Sequence, residues 1–208
     1  MTRKLLICSL VALCLGAAGA PAAQASPELH SEAEHTILTG QQSAATQFSF
    51  DDGALQCGTF GFDGTLAVAT TPTFLLTPTF QNCAVDNMEA VFTPNGCKWM
   101  VHVGPNEEHL TGAIDFVCPD NEVMEFHYDA CLVTVFPQAG LQTVTFTNGG
   151  AEATRGVELD LNLVGIHYRE HGMGCANPGE TTNNGNFQGK VRLTGESTGG
   201  VHRGIWIE

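Results

Sequence analysis

Period-two alternation of apolar and polar residues governs this chain from about residue 45 onward. Val157, Leu159, Leu161 and Leu163 are interleaved with Glu158, Asp160 and Asn162. Met124, Phe126 and Tyr128 share one parity against Glu125 and His127. Trp99, Val101 and Val103 do so against Met100 and His102, and Ile114, Phe116 and Cys118 against Asp115 and Val117. Such spacing sends successive side chains to opposite faces of an extended strand, one buried and one wetted, the mark of antiparallel sheet. No long segment beyond the N-terminus carries a helical period.

Turn residues fall between these runs. Asp51-Asp52-Gly53 predicts a hairpin joining Gln47–Phe50 to Ala54–Phe60. Gly104-Pro105-Asn106, Asn148-Gly149-Gly150 and Ser197-Thr198-Gly199-Gly200 close other runs, and Gly172 to Gly185 reads as a long loop. The chain is therefore expected to be all-β, an antiparallel sandwich or barrel of roughly a dozen short strands.

The first 25 residues have the make-up of a signal peptide. Arg3 and Lys4 precede the apolar stretch Leu5 to Leu15, and Ala23-Gln24-Ala25 supplies small residues for cleavage after Ala25. Gly16, Gly19 and Pro21 break the run short of the roughly 18 apolar residues of a membrane span. Ile7 and Leu13 precede Cys8 and Cys14 where a lipobox needs a small residue. The expected organisation is a leader over 1–25, a polar N-terminal arm over 26–44 and one β domain over 45–208. The protein is expected to be secreted or extracytoplasmic.

Six cysteines follow the leader: Cys57, Cys83, Cys97, Cys118, Cys131 and Cys175. An even count in an exported chain predicts disulfides, and without any Cys-x-x-Cys pair a zinc site is disfavoured. Cys97 and Cys118 both have inward parity and fall opposite each other if their strands form a hairpin around Pro105 to His109. Cys57 with Cys83 and Cys131 with Cys175 then complete the set, although parity alone does not exclude other connectivities.

Charge narrows the partners. The 208 residues hold 8 Lys and Arg against 22 Asp and Glu. With Arg3 and Lys4 in the leader, the mature chain keeps 6 basic residues and a formal net charge of −16. Nucleic acid and anionic membranes are poor partners for such a surface. No calcium-binding loop or glycine-rich nonapeptide repeat accompanies the acids.

Several stretches carry a resemblance: His30-Ser31-Glu32, His35-Thr36-Ile37-Leu38-Thr39-Gly40, Asn95-Gly96-Cys97, Glu170-His171-Gly172-Met173-Gly174-Cys175 and the ending Gly204-Ile205-Trp206-Ile207-Glu208. In these, and in the spacing of its six cysteines, the chain resembles a group of uncharacterised exported proteins of high-GC Gram-positive bacteria. The resemblance implies export and a single β-rich unit; it implies no activity.

Motifs for chemistry are sparse. His167 and His171 lack the His-Glu-x-x-His order of zinc proteases, and on one strand face they lie about 13 Å apart. His30 and His35, near Glu28, Glu32 and Glu34, could capture a divalent ion but read more simply as a solvated tail. His102, His109 and His127 show no ligand spacing. With the six cysteines paired there is no free thiol, and there is no phosphate-binding glycine loop. Trp99 has core parity, whereas Trp206 has the parity opposite to Ile205 and Ile207 and is a candidate sugar platform.

No catalytic, metal or cofactor residue is assigned. The favoured expectation is a non-enzymatic exported protein, surface- or envelope-associated, binding an unspecified partner or ligand. An extracellular hydrolase with a dispersed Asp/Glu/His site is the alternative. A third possibility is an apolar ligand inside a lipocalin-like barrel.

Overall fold

The computed structural model describes residues 26–104, 110–151 and 154–208, so the leader and the predicted turn at Pro105 to His109 lie outside the described residues. The strands run β1 (Leu29–Ser31), β2 (Thr36–Phe50), β3 (Gly53–Leu66), β4 (Thr70–Thr71), β5 (Thr73–Val85), β6 (Met88–Thr93), β7 (Lys98–Val103) and β8 (Thr111–Val117). They continue as β9 (Met124–Tyr128), β10 (Cys131–Val135), β11 (Gln138–Gly149), β12 (Gly156–His171), β13 (Thr181–Glu196), β14 (His202–Arg203) and β15 (Ile205–Ile207). Among the described residues no helix is long and apolar enough to cross a membrane.

Five of these strands are longer than the turn spacing suggested, at 13 to 16 residues. They stand side by side, antiparallel, in the order β12–β13–β2–β3–β5. The gap between β5 and β12 is bridged twice. Toward one end, the lower rim, β7–β8–β11 fills it. Toward the upper rim β6–β9–β10 does so. Each circuit closes an eight-stranded antiparallel barrel, and closure removes the unpaired edges that an open sheet leaves.

The N-terminal arm expected over residues 26–44 is not what these residues form. β1 pairs with β15 and β4, and β2 already runs through the barrel wall from Thr36. Leu29 and Leu38 are fully buried, and Ser31 Oγ meets Thr36 Oγ1 at 2.6 Å inside the fold. Ser31 and Thr36 are buried polar residues of these strands, and the other polar residues of β1 and β2 in this stretch occupy half-buried or exposed strand positions rather than a solvated tail. The loop expected from Gly172 to Gly185 is also shorter, because β13 begins at Thr181.

Aromatic rings fill the barrel. Phe60, Phe62, Trp99, Phe116 and Phe187 pack with centroids between 4.8 and 5.8 Å. Toward the upper rim Phe48, Phe50, Phe126, Tyr128 and Tyr168 form a second cluster dominated by edge-to-face contacts, each worth about 0.5–1.5 kcal/mol beyond area burial. Between the clusters remains an apolar cavity of about 30 Å³, lined by residues including Phe48, Phe80 and Trp99. That is room for about one water and no apolar ligand of lipocalin type.

Three disulfides staple this frame: Cys57–Cys83, Cys97–Cys118 and Cys131–Cys175. Cys57 and Cys83 are direct cross-strand partners on β3 and β5. Cys97 and Cys118 flank the open end of the β7–β8 hairpin. Cys175 ties the loop after β12 to the start of β10. Disulfides of this number suit an oxidising, extracytoplasmic compartment.

Candidate functional site

A concave feature lies outside the barrel at the lower rim, where β11 turns into β12 beside β15. Asn148, near the end of β11, pairs its amide with the backbone of Ile207. Its Nδ2 donates to Ile207 O at 2.8 Å, and Ile207 N donates to its Oδ1 at 2.8 Å. Gly150 then turns the chain at φ +91°, and a Cβ there would stand 2.4 Å from Thr154 O, so the turn requires glycine. The Arg192 guanidinium lies against Gly149 and Gly150 and donates to Thr154 O at 3.4 Å.

Trp206 projects outward from β15 between the buried Ile205 and Ile207 and is half-buried. The Arg155 guanidinium sits 5.0 Å from its ring centroid, and His30 stacks on it at 5.4 Å with 11° between planes. Its Nε1 donates to Glu208 Oε2 at 2.9 Å. Gly149, Gly150, Arg155, Trp206 and Glu208 line an open cleft of about 400 Å³, within the usual range of small-molecule sites. Among the described residues neither Arg155 nor Arg192 has an ion-pair partner. Glu158 stands opposite Arg192 in the ladder, but its carboxylate accepts from Ser43 Oγ at 3.2 Å.

A second polar cluster closes the upper rim. The hairpin turn brings Asp51 and Asp52 over the mouth of the barrel. Asp51 N donates to Tyr168 Oη at 2.8 Å, Tyr168 Oη donates to Asn184 Oδ1 at 3.0 Å, and Asn184 Nδ2 donates back to Asp51 Oδ1. Tyr128 Oη and Ala176 N both donate to Asp52 Oδ2, at 3.1 and 2.6 Å. Glu170 is 1% exposed and accepts from Asn177 N at 3.2 Å. Burial raises its pKa, the bond from Asn177 opposes that, and the charges of Asp52 and Asp51 add to the rise. Burial also pushes up Tyr128, helped by its bond to Asp52, and Tyr168.

The sequence-singled histidines do not converge. His167 and His171 are exposed on one face of β12, and His30 is engaged with Trp206 while His35 occupies a tight turn at φ +54°. His109 lies outside the described residues. His102 Nε2 meets Asp115 Oδ2 at 2.8 Å, and Gly140 N donates to the other Asp115 oxygen at 2.7 Å, beside a cleft of about 330 Å³. Among the described residues the one set of three clustered potential ligands is Asp52, Cys131 and Cys175, and its two sulfurs are joined to each other.

Two functional groups escaped the alternation pattern. Arg155 is brought to Trp206 only by the docking of β15 beside the start of β12, and Glu170 is turned inward by a backbone irregularity in β12. Fold and site define a disulfide-stapled antiparallel barrel with a filled interior and a polar cleft on its outside. No protein-family model matches the chain, and no curated protein or solved structure matches it.

Proposed function

We propose that this chain is an exported, non-enzymatic β-barrel protein of the cell surface or envelope that binds a hydroxyl-rich saccharide in the cleft beside Trp206. Export draws on the signal-peptide pattern of residues 1–25 and on three disulfides, which need an oxidising compartment. A filled interior leaves the outer surface for recognition. The observation that carries the reading is the placement of Arg155 against the half-buried indole of Trp206, next to Glu208 and the open backbone of Gly149 and Gly150. Planar charged groups offer paired donors and acceptors to ring hydroxyls, and the indole, stacked with His30, holds the Arg155 guanidinium at the cleft wall.

Fluorescence titration with neutral, amino and uronic oligosaccharides tests this. Trp99 is sealed in the barrel, so a change on binding reports Trp206. A saturable change, lost in Arg155→Ala, is expected; no change across the three sugar classes would refute the reading.

A second reading, an extracellular hydrolase, draws on the oriented His102–Asp115 pair beside its own cleft. It requires that ester or glycoside turnover be detectable and abolished in His102→Ala.

A further inference from the structure

We propose that Asp52 and Glu170 share a single proton at the upper rim, and that loss of this proton releases the loop held by Cys131–Cys175. Asp52 and Glu170 anchor adjacent residues of one loop, Ala176 and Asn177. Each already uses one oxygen to accept from the same loop: Asp52 Oδ2 from Ala176 N, and Glu170 Oε2 from Asn177 N. The remaining oxygens, Asp52 Oδ1 and Glu170 Oε1, are buried and have no donor among the described residues. Two buried acceptors without a donor are costly, and two like charges holding one loop are costlier still. One proton removes both penalties, because the protonated carboxyl donates to the ionised one. Glu170 is the member that keeps it, being buried and surrounded by negative charge.

The groups that face the pair deepen the effect. Asp51 and Asp52 come from the β2–β3 turn, Asp86 from the β5–β6 turn beside Gly53, Tyr128 from β9, and Tyr168 and Glu170 from β12. β13 contributes the neutral Asn184 and Thr182, and the loop contributes backbone amides. Ionising Glu170 therefore adds a second buried negative charge at the point where Ala176 and Asn177 are anchored. Gly179 N, which donates to Glu170 O at 2.7 Å, holds the far side of the same loop. The folded pKa of Glu170 lies above its unfolded value, so the stabilisation is complete below the ordinary glutamate range and is lost as pH rises through the raised folded value. The result is a cap locked in acid and loosened toward alkaline pH.

Amide hydrogen exchange at Ala176 and Asn177 tests the proposal, expressed as protection factors so that the intrinsic pH dependence of exchange divides out. In the wild-type protein protection should fall by up to tenfold per pH unit from the ordinary glutamate pKa up to the raised folded value of Glu170 and level off above it, the slope for release of one proton. Glu170→Gln supplies a permanent N–H donor to Asp52 and should flatten the profile with the loop still protected. Asp52→Asn supplies the donor from the other side and should do the same, so the test does not depend on one variant folding. A flat wild-type profile, or a slope that persists in the variant that folds, would overturn the proposal.

Discussion

Gln42 spans the break between β2 and β3 and restores with its side chain what the ladder loses. The register passes from Gln41 opposite Gly61 to Gln47 opposite Gln56, with an irregular stretch between. There Gln42 Oε1 accepts from Phe60 N at 2.8 Å and Gln42 Nε2 donates to Gly58 O at 3.1 Å. A side-chain amide has the same donor–acceptor pair as a peptide, so the wall stays closed where the backbones part.

Gln42→Ala should therefore lower stability by about 1–2 kcal/mol, the net worth of two hydrogen bonds. Urea unfolding is the check, with a shifted midpoint and an unchanged slope. A variant as stable as the wild type would mean that water replaces both bonds.

Trp99 is the largest side chain sealed in the barrel and borders the residual cavity. Trp99→Ala should cost about 3–5 kcal/mol and merge the void it leaves with the existing one. An enlarged dry cavity binds small apolar solutes, so benzene should raise the melting temperature of the variant and leave the wild type unaffected.

The disulfides should rank by the chain they close. Cys131–Cys175 spans 44 residues and Cys97–Cys118 spans 21. On loop entropy, replacing the first pair by alanine should cost about 4 kcal/mol and the second about 3 kcal/mol at 25 °C. Equal or inverted costs in denaturant unfolding would show that local packing, not loop entropy, sets them.

Tyr128 and Tyr168 are the only tyrosines, and both are raised, first by burial. Their folded pKa values lie above the unfolded one, so the stability they contribute is complete below about pH 10 and is lost as pH rises beyond it. Tyrosinate absorbance should thus appear together with loss of the β-sheet circular dichroism signal. Tyrosinate forming near pH 10 in an intact fold would contradict the burial of these hydroxyls.

Much of the wall was legible in the sequence, because Trp99, Ile114, Phe126 and Leu159 obey one period over whole strands. The hairpin at Asp51-Asp52 was legible from turn chemistry. The role of β1 was not, since its partners Ile207 and Thr71 are distant in the chain and pairing across such distances leaves no local signature. Glu170 was hidden for another reason. From Leu163 the alternation predicts that even positions face water, but β12 is irregular between Val164 and Ile166, with Gly165 at φ +76°. The bulge reverses parity, so Ile166, Tyr168 and Glu170 turn inward. Trp206 kept the outward parity that its neighbours Ile205 and Ile207 dictate. The arginine beside it precedes β12, far off in the chain, and only the docking of β15 there brings the two together.

The central claim is that recognition occurs outside a filled barrel, at the cleft framed by Arg155 and Trp206. Nitrogen-15 chemical-shift mapping during titration with the best-binding oligosaccharide tests it most directly. The account predicts perturbations concentrated at the amides of Gly149 and Gly150 and at the indole Nε1 of Trp206, with the Phe126 and Leu161 amides of the core strands unmoved. Perturbations centred instead on His102 and Thr143, or on the upper rim at Asp52, would contradict it.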